Sequence, residues 1–394
     1  MKIGILTFHS QLNYGGVLQC WALKTALEGM GHAVVVVDRW LDEKNEHLEG
    51  VLGALKWNVW LSVVLKSLIG CGTWRIALRH LRTRRFVKAL GLTPYHFFEW
   101  KDAPKDLGVD CLVVGSDQVW HGGDWGDPRP YLLEGAPRVK SISYAASFGM
   151  SMIPADQVEL YRCGLGRFAA LSCRENEGVA ICRGLGYSAA HVVDPTLLLE
   201  PSHWSQLLPS GLPEPRRSNR RNLTCYFLSQ DVKSILPILE SWARRSGYHV
   251  CVMGYTRPCP KSIAALISRL CKMAKDILRP PRVRICADYG PKEFVRAFAD
   301  AEAVITDSFH AVMFSSIFSC NCRFLKPTCE MRKTMFARIE EFAEKCIKGN
   351  FFTDNVEQAL QCFELGETIS FDADQIAAMR AESVKWLENA IISA

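Results

Sequence analysis

The alternation of short β-branched runs with helical segments is the feature that most constrains how this chain folds. Residues 3–6 and 33–38 have the pattern of buried strands, and residues 15–29 between them carry an apolar stripe at helical spacing. A strand, a helix and a second, parallel strand form a βαβ unit, which requires a parallel sheet. Residues 111–115 and 141–146 continue the pattern. We therefore predict an α/β fold for the first half of the chain.

The same pattern returns after a change of composition in the middle of the chain. A short strand at residues 191–194 precedes residues 201–221, whose four prolines and arginine-rich run without periodicity are typical of a linker. Further strands are predicted at residues 223–228, 249–253, 283–286 and 303–306. The chain is therefore predicted to form two Rossmann-like, doubly wound domains and a terminal helix over residues 375–392. The predicted bounds of these parts are residues 1–200, 222–370 and 371–394.

Composition excludes several classes of protein. With 394 residues, 48% of them hydrophobic, the chain has enough apolar material for two domain cores. A net charge of +6 is too dilute to indicate a nucleic-acid partner. The 16 cysteines include no CxxC pair, and several lie inside apolar runs, which favours buried, reduced thiols in a cytoplasmic protein. Since no compact set of His, Asp and Glu ligands is apparent, no metal is expected.

One apolar stretch has the length of a membrane span. Residues 51–70 nevertheless contain Lys56, Asn58 and Lys66, so a spanning helix is not predicted. Residues 74–88 follow with five arginines, one lysine and no acid. Tryptophan-rich apolar sequence beside a basic helix is typical of an element at a membrane surface. Two interpretations stay open for residues 51–88: a peripheral membrane contact, or a helical insertion with a solvated basic face.

Four polar clusters lie at or near predicted strand ends, where open α/β sheets bind ligands. They are residues 7–16, 115–120, 171–177 and 304–310. In the first cluster, Gly15 and Gly16 let backbone N–H groups approach an anion or a sugar, unless they form a plain turn. In the second, Asp117 and Gln118 are suited to bind sugar hydroxyls, whereas the alternative is that Ser116 or Asp117 caps a helix.

The third and fourth clusters each contain a residue suited to anion chemistry. Arg174 follows a short apolar run and is a candidate for bidentate binding of carboxylate or phosphate, or for a surface ion pair. His310 follows a predicted strand and begins an apolar helix. There it can donate to an anion or move a proton near neutral pH. The alternative is a histidine that simply packs at the start of a capped helix.

Taken together and in this order, these clusters resemble the polysaccharide pyruvyl transferase family. The matching segments are Ile3-Gly-Ile-Leu-Thr-Phe, Asn13-Tyr-Gly-Gly-Val-Leu-Gln19, Val114-Gly-Ser-Asp-Gln-Val-Trp120, Ser172-Cys-Arg-Glu175, Val193-Asp-Pro-Thr-Leu-Leu198, Tyr289-Gly-Pro-Lys-Glu-Phe294 and Ile305-Thr-Asp-Ser-Phe-His310. The sequence departs from the family at Gly16, where a small residue such as alanine is common, and at Ala311, where glycine is usual. The resemblance implies a GT-B-like pair of domains that face a cleft.

The resemblance also implies a reaction. The donor would be phosphoenolpyruvate, with no cofactor, and the product a pyruvate ketal on two hydroxyls of a sugar. The acceptor would belong to a cell-surface polysaccharide or its lipid-linked precursor, so the protein is expected in the cytoplasm, at the inner face of the membrane. Two alternatives stay open: a GT-B glycosyltransferase that uses a nucleotide sugar, and a non-catalytic sugar-binding protein of the same fold.

The site residues that the resemblance implies fall into two groups. His310 and Arg174 would bind the donor and take part in catalysis, with Ser308 and Phe309 in the same pocket. Arg338 is a further candidate, whose alternative is a solvated helix arginine. The acceptor side of the cleft would be formed by Asn13, Tyr14, Gly15, Asp117 and Gln118.

Overall fold

Two parallel β-sheets, one in each half of the chain, organise the fold. The computed structural model describes residues 1–9, 13–39, 73–122, 126–208, 221–255, 281–327 and 333–393. The strands of the first sheet are β1 (Lys2–Leu6), β2 (Ala33–Arg39), β3 (Leu92–Phe97), β4 (Cys111–Val114) and β5 (Lys140–Ser143). Their order is β3-β2-β1-β4-β5, and all neighbours are parallel. All four residues of β4 are buried, as expected for a strand that helices cover on both faces.

A short parallel pair continues the first sheet, and helices connect its strands. The pair consists of β6 (Leu171–Cys173) and β7 (Ala189–His191), and isolated bridges join it to the β5 side of the sheet. The helices of this half are α1 (Tyr14–Gly29), α2 (Thr73–Lys88), α3 (Val158–Leu165), α4 (Asn176–Gly184) and α5 (Pro201–Ser205). Strands, helices and parallel register confirm the predicted α/β fold.

The second sheet has the same construction. Its strands are β8 (Asn222–Tyr226), β9 (His249–Met253), β10 (Val283–Cys286), β11 (Ala303–Thr306), β12 (Asn321–Leu325) and β14 (Phe352–Thr353). They are parallel in the order β10-β9-β8-β11-β12-β14, while β13 (Ile347–Lys348) and β15 (Ser370–Phe371) form a separate antiparallel pair. The helices are α6 (Val232–Ser246), α7 (Pro291–Ala299), α8 (Phe309–Ile317), α9 (Lys333–Cys346), α10 (Val356–Glu364) and α11 (Ala373–Ser393). In each sheet the strand order reverses beside the first strand, β1 or β8, which marks a ligand crevice.

Arginines of α2 connect the first half to the second. The Arg75 guanidinium donates to the Ile285 carbonyl oxygen over 2.7 Å, and that of Arg82 donates to the Asp288 carbonyl oxygen over 2.7 Å. Between them along the helix, the Arg79 guanidinium lies 4.3 Å from the centre of an aromatic ring of α1. One face of the basic helix is therefore an interdomain contact. The interpretation that its basic residues form only a solvated face is wrong for this row.

The aromatic ring under Arg79 belongs to Tyr14. It stacks on Phe294 with ring centres 4.5 Å apart, and its hydroxyl donates to the Tyr289 carbonyl oxygen over 2.7 Å. Burial raises the pKa of the Tyr14 hydroxyl well above its usual range, so it stays a hydrogen-bond donor. The structure thus places Tyr14 in the core between the halves.

The last helix returns to the first half. α11 extends the predicted helix 375–392 slightly at both ends. Its Arg380 side chain donates to the Leu197 carbonyl oxygen over 2.7 Å, and its Ser383 hydroxyl accepts from the Val193 amide over 3.0 Å. Because α11 crosses from the second half to the first, the chain ties the halves together twice.

Two boundary predictions are wrong. The strand predicted at 191–194 ends at His191, because the Asp194 side chain accepts from the Thr196 amide and starts a helical turn. The predicted linker 201–221 begins with helix α5, whose Trp204 side chain is fully buried. Residues 209–220 of that prediction lie outside the described residues. The prolines and charges of this segment predict a linker, but they do not predict that Trp204 is buried in the core.

Replacing Trp204 with alanine is expected to lower the free energy of unfolding by about 3–5 kcal/mol, the range for large buried aromatic residues. The Trp204 ring lies 4.9 Å from that of Trp21 in the first half and 4.7 Å from that of Phe314 in the second. Urea unfolding measures the loss, and Trp204→Phe, which keeps an aromatic ring, should lose less. Equal stability of the alanine variant and the wild type would contradict this packing role.

The described cysteines are free thiols, and ten of the twelve are buried, as the sequence predicts. Burial raises the pKa of Cys20 to about 12, which keeps the thiol protonated and unreactive. No helix within the described ranges combines the length and hydropathy that a membrane span requires. Residues 51–72 of the proposed membrane segment lie outside those ranges.

Candidate active site

A cluster of buried charged side chains lies where the two halves meet. Its members are Asp117, Arg174, Glu175, Asp194, His310 and Arg338, none more than 9% exposed. The first four belong to the first half, and the last two belong to helices α8 and α9 of the second. Buried charges are unfavourable unless they are paired, so the contacts inside the cluster decide what it can do.

Asp194 holds one arginine and one histidine. Its Oδ2 accepts from Arg174 Nη1 over 2.9 Å and lies 3.7 Å from His310 Nε2. Its Oδ1 accepts from the Thr196 amide and hydroxyl over 3.0 and 2.7 Å. Burial raises the pKa of Asp194, but His310, Arg174 and the Thr196 hydrogen bonds together hold it below its ordinary value. Asp194 is therefore an ionised anchor that contacts both halves.

Glu175 joins the two arginines. Its Oε1 accepts from Arg174 Nε over 3.3 Å, from Arg338 Nη1 over 3.1 Å and from the Ser147 hydroxyl over 2.6 Å. Both guanidinium groups also lie over the Phe309 ring, 4.8 Å (Arg174) and 5.4 Å (Arg338) from its centre. One carboxylate oxygen and one aromatic face thus fix two guanidinium groups beside each other.

The two guanidinium groups affect each other's ionisation. Burial and the charge of Arg174 lower the pKa of Arg338. Burial acts in the same direction on Arg174, but Glu175, Asp194 and Asp117 raise its pKa above the ordinary value. The cluster holds three carboxylates and two guanidinium groups, so these groups carry one net negative charge. An added proton removes that net charge, which favours an anionic ligand.

His310 is the group placed to take that proton. It is the second residue of α8, and its ring packs against Gly15 in the first turn of α1, so closely that a Cβ on Gly15 would lie 2.1 Å from Nδ1. Its Nε2 is buried and makes no hydrogen bond to the described residues. Burial lowers the pKa of His310 although Asp194 and Asp117 oppose this, so the imidazole is neutral near pH 7.

Stability is expected to fall as the pH drops below 6.5, the ordinary pKa of histidine. Because the pKa of His310 is lower in the folded state, the unfolded state binds the proton first, and acid favours unfolding. Thermal melting across this range should show a steeper decline for the wild type than for His310→Gln. Parallel profiles of the two proteins would contradict the burial of a neutral histidine.

A polar network shapes the turn that carries Asp117. The Gln19 amide of α1 donates to the Thr7 hydroxyl over 2.8 Å and accepts from the Ser116 amide over 3.2 Å. Asp117 has φ 68°, and its Oδ1 accepts from the Gln118 amide over 2.9 Å. No helix begins here, so the alternative that Ser116 or Asp117 caps a helix is wrong.

The structure brings most of the predicted site residues together, though in different ways. Asp117 lies 3.9 Å from Arg174, and the Phe309 ring lies under both Arg174 and Arg338. Gly15 contacts the ring of His310. The alternative for Arg174 is a surface ion pair, and the alternative for Arg338 is a solvated helix residue. Both are wrong because both side chains are buried.

The remaining predicted residues lie at the edge of the cluster or serve the fold. The Asn13 side chain accepts from the Gly15 amide over 3.0 Å and caps α1. Ser308 is buried at the start of α8. Gln118 is buried, and its Nε2 has no hydrogen-bond partner among the described residues. Asn13 and Ser308 therefore help to set the geometry, whereas Gln118 has an amide donor available.

Sequence reasoning assigned no role to Glu175, Asp194 or Ser147. Glu175 and Asp194 stand inside quoted motifs, each next to an apolar run that ends a strand or precedes a turn. That position was the available signal, since a charge after a buried run needs a partner. Ser147 lacks any such signal, because only the fold brings it to Glu175.

An aromatic cavity adjoins the arginines on the side of the second sheet. It is lined in part by Phe309, Phe324, Phe336 and Arg338. Asp307 lies on its wall, where it accepts from the Leu228 amide over 2.6 Å. Among the described residues, both in this cavity and elsewhere, no three His, Cys, Asp or Glu side chains are placed so that they could bind a metal ion.

Comparison with known proteins identifies the family. A family model described as polysaccharide pyruvyl transferase matches residues 13–327, which include every member of the cluster except Arg338. The chain belongs to the polysaccharide pyruvyl transferase family. The resemblance inferred from the motifs is thereby confirmed, and with it a general role as a transferase of polysaccharide biosynthesis. No curated protein matches the sequence of this family member.

Solved structures confirm the GT-B fold of this pyruvyl transferase family member. UDP-GlcNAc 2-epimerase from Neisseria meningitidis, bound to UDP-GlcNAc, matches with a TM-score of 0.56 at 8% identity, covering 100% of both chains. Anabaena HepE, in complex with UDP and glucose, matches with a TM-score of 0.50 at 11% identity, also over 100% of both chains. At these identities the likeness establishes the fold alone.

Proposed function

We propose that this protein transfers the pyruvyl group of phosphoenolpyruvate to two hydroxyls of a sugar, forming a ketal in a cell-surface polysaccharide or its lipid-linked precursor. The observation that carries the proposal is the pair Arg174 and Arg338, fixed by Glu175 and Phe309 beside His310. Family membership supports the reaction class. The GT-B fold supports a site in the cleft between the domains.

The donor's chemistry fits these groups. Phosphoenolpyruvate carries a carboxylate and a phosphate, and each guanidinium group offers five N–H donors in a planar fork. Glu175 and Asp194 accept hydrogen bonds from Nε and Nη1 of Arg174. We assign both arginines to donor binding, and no cofactor or metal is part of the proposal.

The reaction requires balanced movement of two protons. A proton adds to the methylene carbon of the donor, a sugar hydroxyl oxygen bonds to C2, and the bond from C2 to the phosphate oxygen breaks. The second hydroxyl then bonds to C2 and closes the ketal ring. One hydroxyl proton replaces the proton delivered to carbon, and the other leaves with inorganic phosphate. Such steps need an acid and a base within reach of the bound donor.

His310 and Asp117 are the groups we assign to these steps. The position of His310 Nε2 near the Asp194 carboxylate supports a proton on that nitrogen when donor binds. Asp117, on the opposite side of Arg174, is suited to accept a hydroxyl proton from the acceptor. Gln118, whose buried Nε2 has no partner, is suited to donate to a sugar hydroxyl. Asp194 and Glu175 act as positioning residues for the histidine and the arginines.

Incubation of the full chain with phosphoenolpyruvate and a panel of sugars, including lipid-linked ones, tests the proposal. Mass spectrometry should find one pyruvyl ketal on an acceptor, with one inorganic phosphate released for each product. His310→Ala should remove both signals. Release of a nucleotide from a nucleotide sugar, without phosphate from phosphoenolpyruvate, would instead identify a glycosyltransferase. Binding of an acceptor without any turnover would identify a sugar-binding protein, and either result overturns the proposal.

A further inference from the structure

Helix α2 has two different faces. Arg75, Arg79 and Arg82 follow the spacing i, i+4, i+7. Arg75 and Arg82 bind the second half of the chain, and Arg79 lies over the Tyr14 ring, which packs against that half. Leu81, Arg85 and Lys88 follow the same spacing on another face, about a third of a turn or more away around the helix. A helix whose arginines only served the interdomain contact would not need this second basic row.

The second face is exposed and combines apolar with cationic groups. Leu81 is 43% exposed. Arg85 and Lys88 are exposed as well. Within the described ranges neither cation pairs with an acidic side chain, and α2 itself contains no acid. We call Leu81, Arg85 and Lys88 the outer face of α2.

We propose that the outer face of α2 binds the surface of an anionic lipid bilayer. An exposed leucine beside cations that pair with no acid among the described residues, on a helix without acids, complements a surface of acidic headgroups over acyl chains. The stretch that precedes α2 in the sequence, residues 51–70, is apolar and includes Trp57 and Trp60, which favour the same boundary. Charge complementarity commits the proposal to acidic lipid.

The contact would lie close to the candidate active site. On its inner face, α2 places Arg79 against the ring of Tyr14. The next residue in the chain, Gly15, contacts the His310 ring. Docking through α2 therefore brings the cleft near the membrane, where a lipid-linked acceptor would be held. The inference goes beyond the proposed reaction and does not depend on it, since binding to lipid requires no turnover.

Sedimentation of the full chain with vesicles tests this surface. We expect binding to vesicles of phosphatidylcholine mixed with phosphatidylglycerol, weak binding to phosphatidylcholine alone, and loss of binding at high salt. Arg85→Glu with Lys88→Glu should weaken binding at least roughly twentyfold, since each cation near such a surface contributes roughly fivefold. Leu81→Ser should weaken it as well. Thermal melting checks that both variants are folded.

Arg244→Glu with Arg245→Glu is the matched control. It makes the same change of charge on exposed positions of α6 and should bind as the wild type does. Unchanged binding of both outer-face variants overturns the proposal, as does equal binding to vesicles without acidic lipid. If deletion of residues 51–72 removes all binding while the outer-face variants retain it, the contact belongs to that stretch and the proposal fails.

Discussion

Gly15→Ala is expected to reduce kcat/KM for pyruvyl transfer by roughly a hundredfold or more, the scale of a misplaced reacting group. The new Cβ would lie 2.1 Å from Nδ1 of His310 and 2.4 Å from Cε1, which no rigid imidazole ring can accommodate. The ring must therefore leave its place beside Asp194. Release of phosphate from phosphoenolpyruvate, measured with a saturating acceptor, gives the rate.

Two other glycines of the same helix provide matched controls. A Cβ on Gly29 would meet nothing within 4 Å, so Gly29→Ala should keep full activity. A Cβ on Gly16 would lie 3.1 Å from the Phe8 carbonyl oxygen and 3.3 Å from Asp117 Oδ2, which requires only small adjustments. Wild-type activity of Gly15→Ala would show that His310 does not need this position.

Glu175→Gln is expected to lower the free energy of unfolding by about 3–5 kcal/mol, the cost of breaking a buried ion pair on one side. The substitution keeps an oxygen acceptor but removes the charge that holds Arg174 beside Arg338. Arg338 then loses its pairing with Glu175, while Arg174 keeps Asp194, so the two buried guanidinium groups repel each other more strongly. KM for phosphoenolpyruvate should rise with the loss of their geometry. Urea unfolding and steady-state kinetics measure the two effects separately.

Glu159→Gln is the control for this change. Glu159 pairs with Arg162 on an exposed surface, where solvent screens the pair and its contribution to stability is small. A stable, fully active Glu175→Gln protein would contradict the idea that this carboxylate organises the arginines.

The sequence predicts the meeting of the polar clusters because parallel strands end at the same edge of a sheet. Residues 115–120 follow β4, while residues 171–177 contain β6 and the turn after it, and residues 304–310 contain the end of β11 in the other sheet. What sequence pattern alone does not predict is which carboxylate meets which cation. Glu175 and Arg338 are separated by 163 positions, so only the packing of α9 against the first half brings them together.

The basic helix illustrates a second limit. Its arginines look alike in the sequence, yet Arg75 and Arg82 bind carbonyl oxygens of the second half while Arg85 is exposed. Their separation into two faces follows from which side of α2 the second half covers. Similarly, Ala311 departs from the glycine usual in the family, but its methyl group is fully buried in the core below His310.

The contact between Gly15 and His310 means that the proposed reaction needs both halves at once. His310, to which we assign proton transfer, lies in the second half, and Arg174, to which we assign donor binding, lies in the first. The ion pair from Arg338 to Glu175 also joins the two halves. A relative rotation of the two halves would move His310, the assigned acid, away from the Arg174 side of the donor site before a new substrate entered. Opening of the cleft would therefore stop the proposed reaction. Phosphoenolpyruvate would then not be hydrolysed while the cleft admits solvent.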